Sequence, residues 1–276
     1  MQGRPNHNAP QHLRRGAPVP YRPLAGVEPC PGGWFVVGGK LQGVSLFPEP
    51  PQVMATITDV LDTRPSYEII ALHAPIGLPG ERIPGGRACD RQARKLLGTR
   101  RGAAVTAPPS RSHVYDASGE GLSAVVRAQL ARIREVQRDV ASYHQRSVFE
   151  VHPELGFFQL NDDTPLRYGK RTHLGVEERL SLLRARMPGL ERVLDNIPDG
   201  VRLATVLDAC VDLWTARRIA ARAVSRLPRC RSGMRTGSAW SWFASQPEQG
   251  SKSRADAKAP GSPLLSWRRR PRRCFA

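Results

Sequence analysis

The sequence predicts an α/β fold in which helices cover both faces of a mixed sheet. Three short apolar runs separated by Pro- and Gly-containing turns stand near the N-terminus, a pattern typical of consecutive antiparallel strands. Two later apolar runs are separated by long segments with helical spacing, which indicates parallel strands joined by crossovers. Amphipathic segments fill much of the second half of the chain, so helices would form the layers on either side of the sheet.

The N-terminal elements read as an antiparallel meander. The first strand comprises residues 24–28 and ends in a carboxylate. A Pro- and Gly-rich turn leads to a second strand at 34–37, and a further Gly-rich turn leads to a third at 43–47. Residues 52–62 place apolar side chains on one helical face, which predicts that the first helix follows the meander.

The remaining elements alternate between short strands and longer helices. Prolines and a glycine close the fourth strand and direct the chain away from the sheet. The order of elements fits a ribonuclease-H-like sheet, in which three antiparallel strands precede parallel ones. The predicted ranges are strands at 67–72 and 147–152, helices at about 87–97, 121–143, 175–195 (broken at Pro188) and 201–227, a helical turn at 154–160 and an exposed loop at 98–119.

Charge divides the chain into three segments. The formal net charge is +18, but residues 1–22 contain four Arg and no acid, and residues 229–276 contain eleven Lys or Arg against two acids. Neither end has helical or strand periodicity, which predicts a disordered basic arm and a disordered Arg-rich tail around a folded domain at 23–228. The Arg and Trp residues of the tail suit nucleic-acid phosphates and bases, and a tail with no specific role is the alternative.

The cysteine content and the hydropathy of the chain indicate the cellular compartment in which it acts. Five cysteines without a Cys-x-x-Cys pair argue against a disulfide framework and against a zinc knuckle. No apolar run approaches the roughly 20 residues that a membrane span needs, and the Pro- and Arg-rich start lacks the apolar centre of a signal peptide. The sequence therefore predicts a cytoplasmic protein with no membrane partner.

Acidic and histidine side chains stand at the predicted strand ends and on the last helix. Carboxylates gathered at one edge of a sheet repel one another unless cations neutralise them, and their hard oxygens suit Mg²⁺ or Mn²⁺. Two such ions, about 3.5 to 4 Å apart, activate water and stabilise the leaving oxygen in phosphodiester hydrolysis. The candidate residues are Glu28, His73, Glu150, His152, Glu154, Asp208 and Asp212.

Each candidate also has a structural interpretation. Glu28 is equally an exposed strand end beside a turn, and a histidine at a strand terminus, such as His73, is commonly a hydrogen-bonded structural residue. Asp208 and Asp212 lie one helical turn apart and would suit a solvated helix face. Basic residues after the fourth strand suit a phosphate backbone, or equally a solvated surface; they include Arg87, Arg91 and Arg94.

Five motifs occur in order along the chain: Gly26–Trp34, Ala74–Pro79, Arg87–Gly98, Glu150–Glu154 and Leu207–Ala216. Together they resemble the bacterial and archaeal family known as domain of unknown function 429, which is regarded as a family of predicted nucleases of ribonuclease-H-like fold. The resemblance covers about residues 24–228. Five motifs in the expected order make it more specific than any one of them.

The resemblance implies acidic residues at the first strand, before the Pro-Ile-Gly-Leu-Pro turn, at Glu150 and at Asp208. Glu28 and His73 stand where the family usually has Asp. Glu28 keeps the charge on a longer arm, whereas His73 replaces an anionic oxygen with a neutral nitrogen that hard Mg²⁺ disfavours. These departures predict weakened activity. Beyond Pro228 the family's usual short ending is not recognisable, so the tail is either a genuine extension or the out-of-frame product of a frameshift.

The leading hypothesis is a divalent-metal-dependent nuclease of DNA or RNA, or a weakened descendant of one, that uses Mg²⁺ or Mn²⁺. The alternative is a non-catalytic nucleic-acid-binding or interaction protein on the same scaffold. An actin-like ATPase is a third reading, but the prolines after the first strand remove donors that a phosphate-binding loop would use. The predicted metal ligands are Glu28, Glu150 and Asp208, with Asp212 and His73 as auxiliaries and His152 as an orienting or proton-handling group.

Overall fold

The computed structural model describes residues 20–116, 121–227 and 242–245. Most of the predicted N-terminal arm and of the predicted tail lies outside these residues. The strands in the described part are β1 (Arg22–Cys30), β2 (Gly33–Gln42), β3 (Ser45–Pro48), β4 (Gln52–Met54), β5 (Ile69–Leu72), β6 (Val148–Glu150), β7 (Val224–Leu227) and β8 (Trp242–Ser245).

Six of these strands form one mixed sheet. The order is β3-β2-β1-β5-β6, and β4 pairs with β2 beyond the end of β3. The first three strands are antiparallel, whereas β1, β5 and β6 run parallel to one another. The predicted fold class, a ribonuclease-H-like mixed sheet of three antiparallel strands followed by parallel ones, is confirmed.

The helices lie between the parallel strands and after them. Several begin at the side-chain caps that their sequences supply: Thr56 forms a capping box with Asp59, while Ser123 and Thr172 each accept a backbone N–H. The α-helices of the described residues are α1 (Ile57–Leu61), α2 (Ala88–Gly102), α3 (Arg111–Tyr115), α4 (Ala124–Asp139), α5 (Pro153–Leu160), α6 (His173–Arg186), α7 (Glu191–Leu194) and α8 (Leu203–Ala220), and a 3₁₀ helix spans Ser142–Arg146.

Two hydrophobic cores cover the two faces of the sheet, because successive strand residues point to opposite sides. Leu24 and Phe35 face the larger core, to which α5, α6 and α8 contribute. Ala25 and Val36 face the smaller core, which contains residues of α1 and the end of α4, including Val136. Helices therefore cover both faces, as the sequence predicted.

Several predicted helix boundaries are wrong, two of them by changing the type of element. Residues 52–54 form β4 rather than the start of a helix, because they pair with the first part of β2, and α1 begins only after Thr56. The last helix ends at Ala220 rather than at 227. There Arg222 adopts φ 56° and the N–H of Ala223 bonds to the carbonyl of Arg218, a Schellman-type ending without the usual glycine.

Other differences concern the predicted loop and tail. The helix after β5 continues to Gly102 through a kink at Gly98, where φ is 65°, and a short helix, α3, lies in the second half of the predicted loop. Residues 242–245, inside the segment predicted to be a disordered tail, form β8 and pair antiparallel with β7. No helix in the described residues has the length and apolar character needed to span a bilayer.

Candidate active site

Gly26 brings the end of β1 against α8. A Cβ atom at this position would lie 2.1 Å from the carbonyl oxygen of Ala209 and 2.3 Å from the amide nitrogen of Leu213, so only glycine permits the contact. Glu28 is two residues further along β1 and therefore points to the same face. Asp212 lies within the stretch of α8 that contacts Gly26, and this close packing places its carboxyl beside that of Glu28.

Glu28, Asp208 and Asp212 form one buried group, which we call the acidic cluster. Their relative exposures are 4%, 1% and 0%. Within the described residues, neither oxygen of Asp212 and only one oxygen of Asp208 accepts a hydrogen bond from an ordinary N–H or O–H donor. The Asp212 carboxyl lies within hydrogen-bond reach of that of Glu28. Buried carboxylate oxygens normally have partners, so the unmet acceptors indicate that the cluster suits a cation.

The protonation of the cluster follows from its burial. Burial raises the pKa of Asp208 to about 6, although the nearby Lys170 ammonium opposes the shift. Burial, followed by the charge of Glu28, raises the pKa of Asp212 well above its usual range. Three negative charges are therefore unfavourable here even beside the Lys170 ammonium, and a protonated Asp212 carboxyl is able to donate a hydrogen bond to Glu28.

His73 lies at the end of β5, next to β1, and binds Glu28. Its Nδ1 atom is 2.8 Å from Oε1 and 2.9 Å from Oε2 of that carboxylate. Burial acts to lower the pKa of His73, but the charge and hydrogen bond of Glu28 outweigh it, and the pKa rises. Where the resemblance implies an acid, this chain therefore has an imidazole that hydrogen-bonds to the neighbouring acid.

Lys170 is the member of the site that the sequence did not reveal. Its Nζ donates a hydrogen bond to Oδ2 of Asp208 from the loop between α5 and α6. Burial acts to lower the pKa of Lys170, but the charge of Asp208 outweighs it and keeps the ammonium protonated. The two residues are 38 positions apart in a chain rich in basic residues, and no motif spacing marked the lysine.

His152 packs against His73 but has other hydrogen-bond partners. The ring centroids are 4.9 Å apart at an interplanar angle of 67°. Nδ1 of His152 accepts the backbone N–H of Glu154 and so caps α5, and Nε2 lies 3.4 Å from the carbonyl oxygen of Ala104. Burial lowers the pKa of His152 well below its usual value, which favours a neutral ring with the proton on Nε2. These contacts suit an orienting role.

Glu150 lies on the opposite face of the sheet from Glu28, because Phe149 and Val151 on either side of it face the larger core. One carboxylate oxygen of Glu150 is 2.5 Å from Nη2 of Arg87, and the other accepts the backbone N–H of Ile76 at 3.0 Å. Among the described residues, its side chain forms no hydrogen bond or ion pair with the acidic cluster. Its predicted role as a ligand shared with Glu28 stays a prediction.

The three arginines predicted to bind nucleic acid all make internal contacts. Arg87 joins Glu150 to Asp90 and is largely buried. Arg91 and Arg94 donate to the backbone carbonyls of Gly86 and Gly85 respectively, and so hold the turn that precedes α2. The guanidinium groups of Arg91 and Arg94 retain further N–H donors, since each has five.

The donor atoms of the acidic cluster suit a hard divalent ion, but their arrangement is not that of a preformed metal site. These donors are carboxylate oxygens, which Mg²⁺ and Mn²⁺ prefer, and three oxygens of Asp208 and Asp212 accept no ordinary hydrogen bond among the described residues. No group of three or more His, Cys, Asp or Glu residues in that part of the chain has the spacing of a metal site. Lys170 and His73 instead lie against two of the three carboxylates.

The fold and the site together define an α/β protein with a buried acidic cluster between the central strand and the last helix. Residues 26–231 match the family described as Protein of unknown function (DUF429), and the chain belongs to that family. The predicted membership is thus confirmed. No curated protein and no solved structure matches the chain.

Proposed function

We propose that this protein is a divalent-metal-dependent phosphodiesterase of DNA or RNA whose ion binds at the acidic cluster. The observation that supports it is the set of buried carboxylate oxygens of Asp208 and Asp212 that lack donors among the described residues. Three carboxylates in a site of low dielectric repel one another, and a cation relieves that repulsion. Mg²⁺ and Mn²⁺ are the ions that oxygen donors favour.

The proposed roles follow from the contacts of each side chain. Glu28, Asp208 and Asp212 would hold the ion, and His73 orients Glu28 through its Nδ1–H. His152 fixes the start of α5, since both its ring nitrogens have backbone partners. A bound ion would supply positive charge that draws in a phosphodiester oxygen and stabilises the leaving oxygen.

Arg91 and Arg94 are the proposed contacts to the nucleic-acid backbone, because each guanidinium has donors beyond those that hold the Gly85–Gly86 turn. Arg87 is a weaker candidate, since its guanidinium already neutralises Glu150 and Asp90. The free thiols of Cys30, Cys89 and Cys210 suit the reducing cytoplasm in which the sequence predicts the protein to act.

Cleavage of end-labelled DNA and RNA, single- and double-stranded, with Mg²⁺ or Mn²⁺ tests the proposal. We expect ion-dependent cleavage that falls by at least about 100-fold in Asp212→Asn and Glu28→Gln, as for loss of a group acting in the transition state. Glu49→Gln is the matched control, because Glu49 is a half-buried carboxylate that pairs with Lys40 rather than with a residue of the acidic cluster. Absence of cleavage with either ion, or full activity in Asp212→Asn, would contradict the proposal.

Glu150→Gln tests the ligand role that the family resemblance implies. If Glu150 binds the ion, this variant should lose activity and Mn²⁺ binding together. If its role is the ion pair with Arg87, the variant should keep Mn²⁺ binding and lose folding stability instead. Measuring both quantities on the same preparation separates the two roles.

A non-catalytic nucleic-acid-binding protein is the second candidate. The observation that favours it is that a basic side chain of the protein already pairs with each predicted metal ligand: His73 with Glu28, Arg87 with Glu150 and Lys170 with Asp208. Calorimetry separates the candidates. Absence of Mn²⁺ binding, together with oligonucleotide binding that weakens steeply as salt rises, would favour this second function.

A further inference from the structure

Lys170 reaches the acidic cluster from the loop between α5 and α6, which contributes none of the three carboxylates of the cluster. Its ammonium contacts Asp208, and its charge also acts on Glu28 and His73. The Lys170 side chain is 38% exposed while that of Asp208 is 2% exposed, so the lysine side chain lies between the buried carboxylate and solvent. A substrate phosphate approaching the cluster from solvent would meet this ammonium.

The Lys170 loop is held in place by several interactions. The Thr172 hydroxyl donates to the carbonyl of Gly169 and also accepts the N–H of Gly175, at 2.9 and 3.1 Å. A Cβ atom at Gly175 would lie 1.9 Å from that same Gly169 carbonyl, so glycine is needed for the contact. These bonds fix the residue immediately before Lys170.

A buried arginine attaches the same loop to the core. Arg179 is fully buried; its Nη1 donates to the carbonyl of Tyr168 at 3.2 Å, and its Nη2 is 2.6 Å from Glu154. The carboxylate of Glu178 accepts the backbone N–H of Tyr168 at 3.1 Å. The backbone that carries Lys170 is therefore fixed, and a functional group must be held in this way to act at one position in a site.

We propose that the Lys170 ammonium takes one of two cation positions at the acidic cluster, so that the site accepts one divalent ion beside it rather than two. The inference rests on the proposed function for the identity of that ion. An ammonium on Asp208 would repel a divalent ion bound to the same carboxylate, which leaves Glu28 and Asp212 as the carboxylates that would hold the ion. Lys170 would then bind a phosphate oxygen in place of the second ion.

Calorimetric titration of the chelator-treated full chain with MnCl₂ tests the proposal. We expect one Mn²⁺ per chain in the wild type and two in Lys170→Met, because removing the ammonium frees the Asp208 carboxylate. Lys170→Arg should retain one, since it keeps the charge. Lys40→Met is the matched control: Lys40 also pairs with a carboxylate, but it faces Pro23 at the opposite end of β1 from Glu28.

An unchanged Mn²⁺ count and affinity in Lys170→Met would overturn the inference, as would two ions in the wild type or none in any variant. Circular dichroism shows whether Lys170→Met folds. If it does not fold, Lys170→Gln replaces it in the titration. The nuclease proposal fails separately. A chain that gains an ion on loss of Lys170 yet cleaves no nucleic acid supports the role of Lys170 and contradicts the activity.

Discussion

Gly26 determines how closely α8 approaches β1, and that distance determines where Asp208 and Asp212 lie relative to Glu28. The position is in ordinary strand geometry rather than in a turn, so its glycine is explained by the close approach of the α8 backbone. The absence of one Cβ atom at Gly26 therefore allows α8 to pack close enough to β1 for its carboxylates to lie beside Glu28.

Replacing Gly26 with Ala should therefore destabilise the fold. The new Cβ would overlap backbone atoms of Ala209 and Leu213, which are unable to rotate away, so we expect a loss of about 3 kcal/mol or more in the free energy of unfolding. Urea denaturation followed by circular dichroism measures this quantity.

Gly80→Ala is the control for that experiment. A Cβ atom there meets no atom within 4 Å, and its φ is outside the left-handed region. Its unfolding free energy should stay within about 0.5 kcal/mol of the wild type. Equal stabilities for the two glycine variants would show that α8 moves to accommodate the methyl group.

Among the elements, β6 and α2 are joined by one buried ion-pair network. Arg87, just before α2, bonds to Asp90 in the first turn of that helix and to Glu150 at the end of β6. It also donates to the carbonyl of Gly77 in the Pro-rich turn after β5. The pKa of Arg87 is raised well above its usual value, because these carboxylates outweigh burial, so it stays charged.

Arg87→Met should leave two buried carboxylates without their cation. Loss of one partner of a buried pair typically costs about 3 to 5 kcal/mol, and we expect a decrease in unfolding free energy in that range. Differential scanning calorimetry or urea titration measures it. Arg100→Met, an exposed change on the same helix, should have little effect. A stable Arg87→Met variant with weakened nucleic-acid binding would instead support the predicted contact to phosphate.

At the scale of the whole molecule, the three free thiols of the described residues indicate whether the fold is intact. Cys89 and Cys210 are buried in two different hydrophobic cores, whereas Cys30 is half-buried at the end of β1. Burial raises the pKa of Cys89 to about 12, although Arg87 opposes the shift, and burial also raises that of Cys210. The thiolate is the reactive form, so both should react slowly until the molecule opens.

Iodoacetamide labelling at pH 8 tests this expectation. The Cys89 and Cys210 peptides should be alkylated at least about 100-fold more slowly in the native protein than in urea, because the thiolate fraction at such a pKa is on the order of 10⁻⁴. Peptide mass spectrometry measures each site, with Cys30 as the internal comparison. Native labelling of Cys89 as fast as that of Cys30 would contradict the described packing.

The sequence by itself was sufficient to predict the order of strands in the main sheet, the family and most residues of the site. Apolar runs of strand length and helical spacing are local signals, so the order of the elements followed from them. Glu28, His73, Asp208 and Asp212 were recognisable because each stands at a strand end or on one side of a helix. Predicted helix boundaries were wrong where the local signal was missing. Arg222, for example, ends α8 in a left-handed conformation that glycine usually adopts.

Only the tertiary structure decided how charges pair across the chain. Strand alternation directs Glu150 away from Glu28, toward Arg87, although both were expected at one edge of the sheet. Lys170 meets Asp208 because the loop before α6 folds back onto α8, a contact that no spacing within the sequence encodes. Residue patterns are local, whereas the free energy of a buried charge depends on every group that folding brings around it.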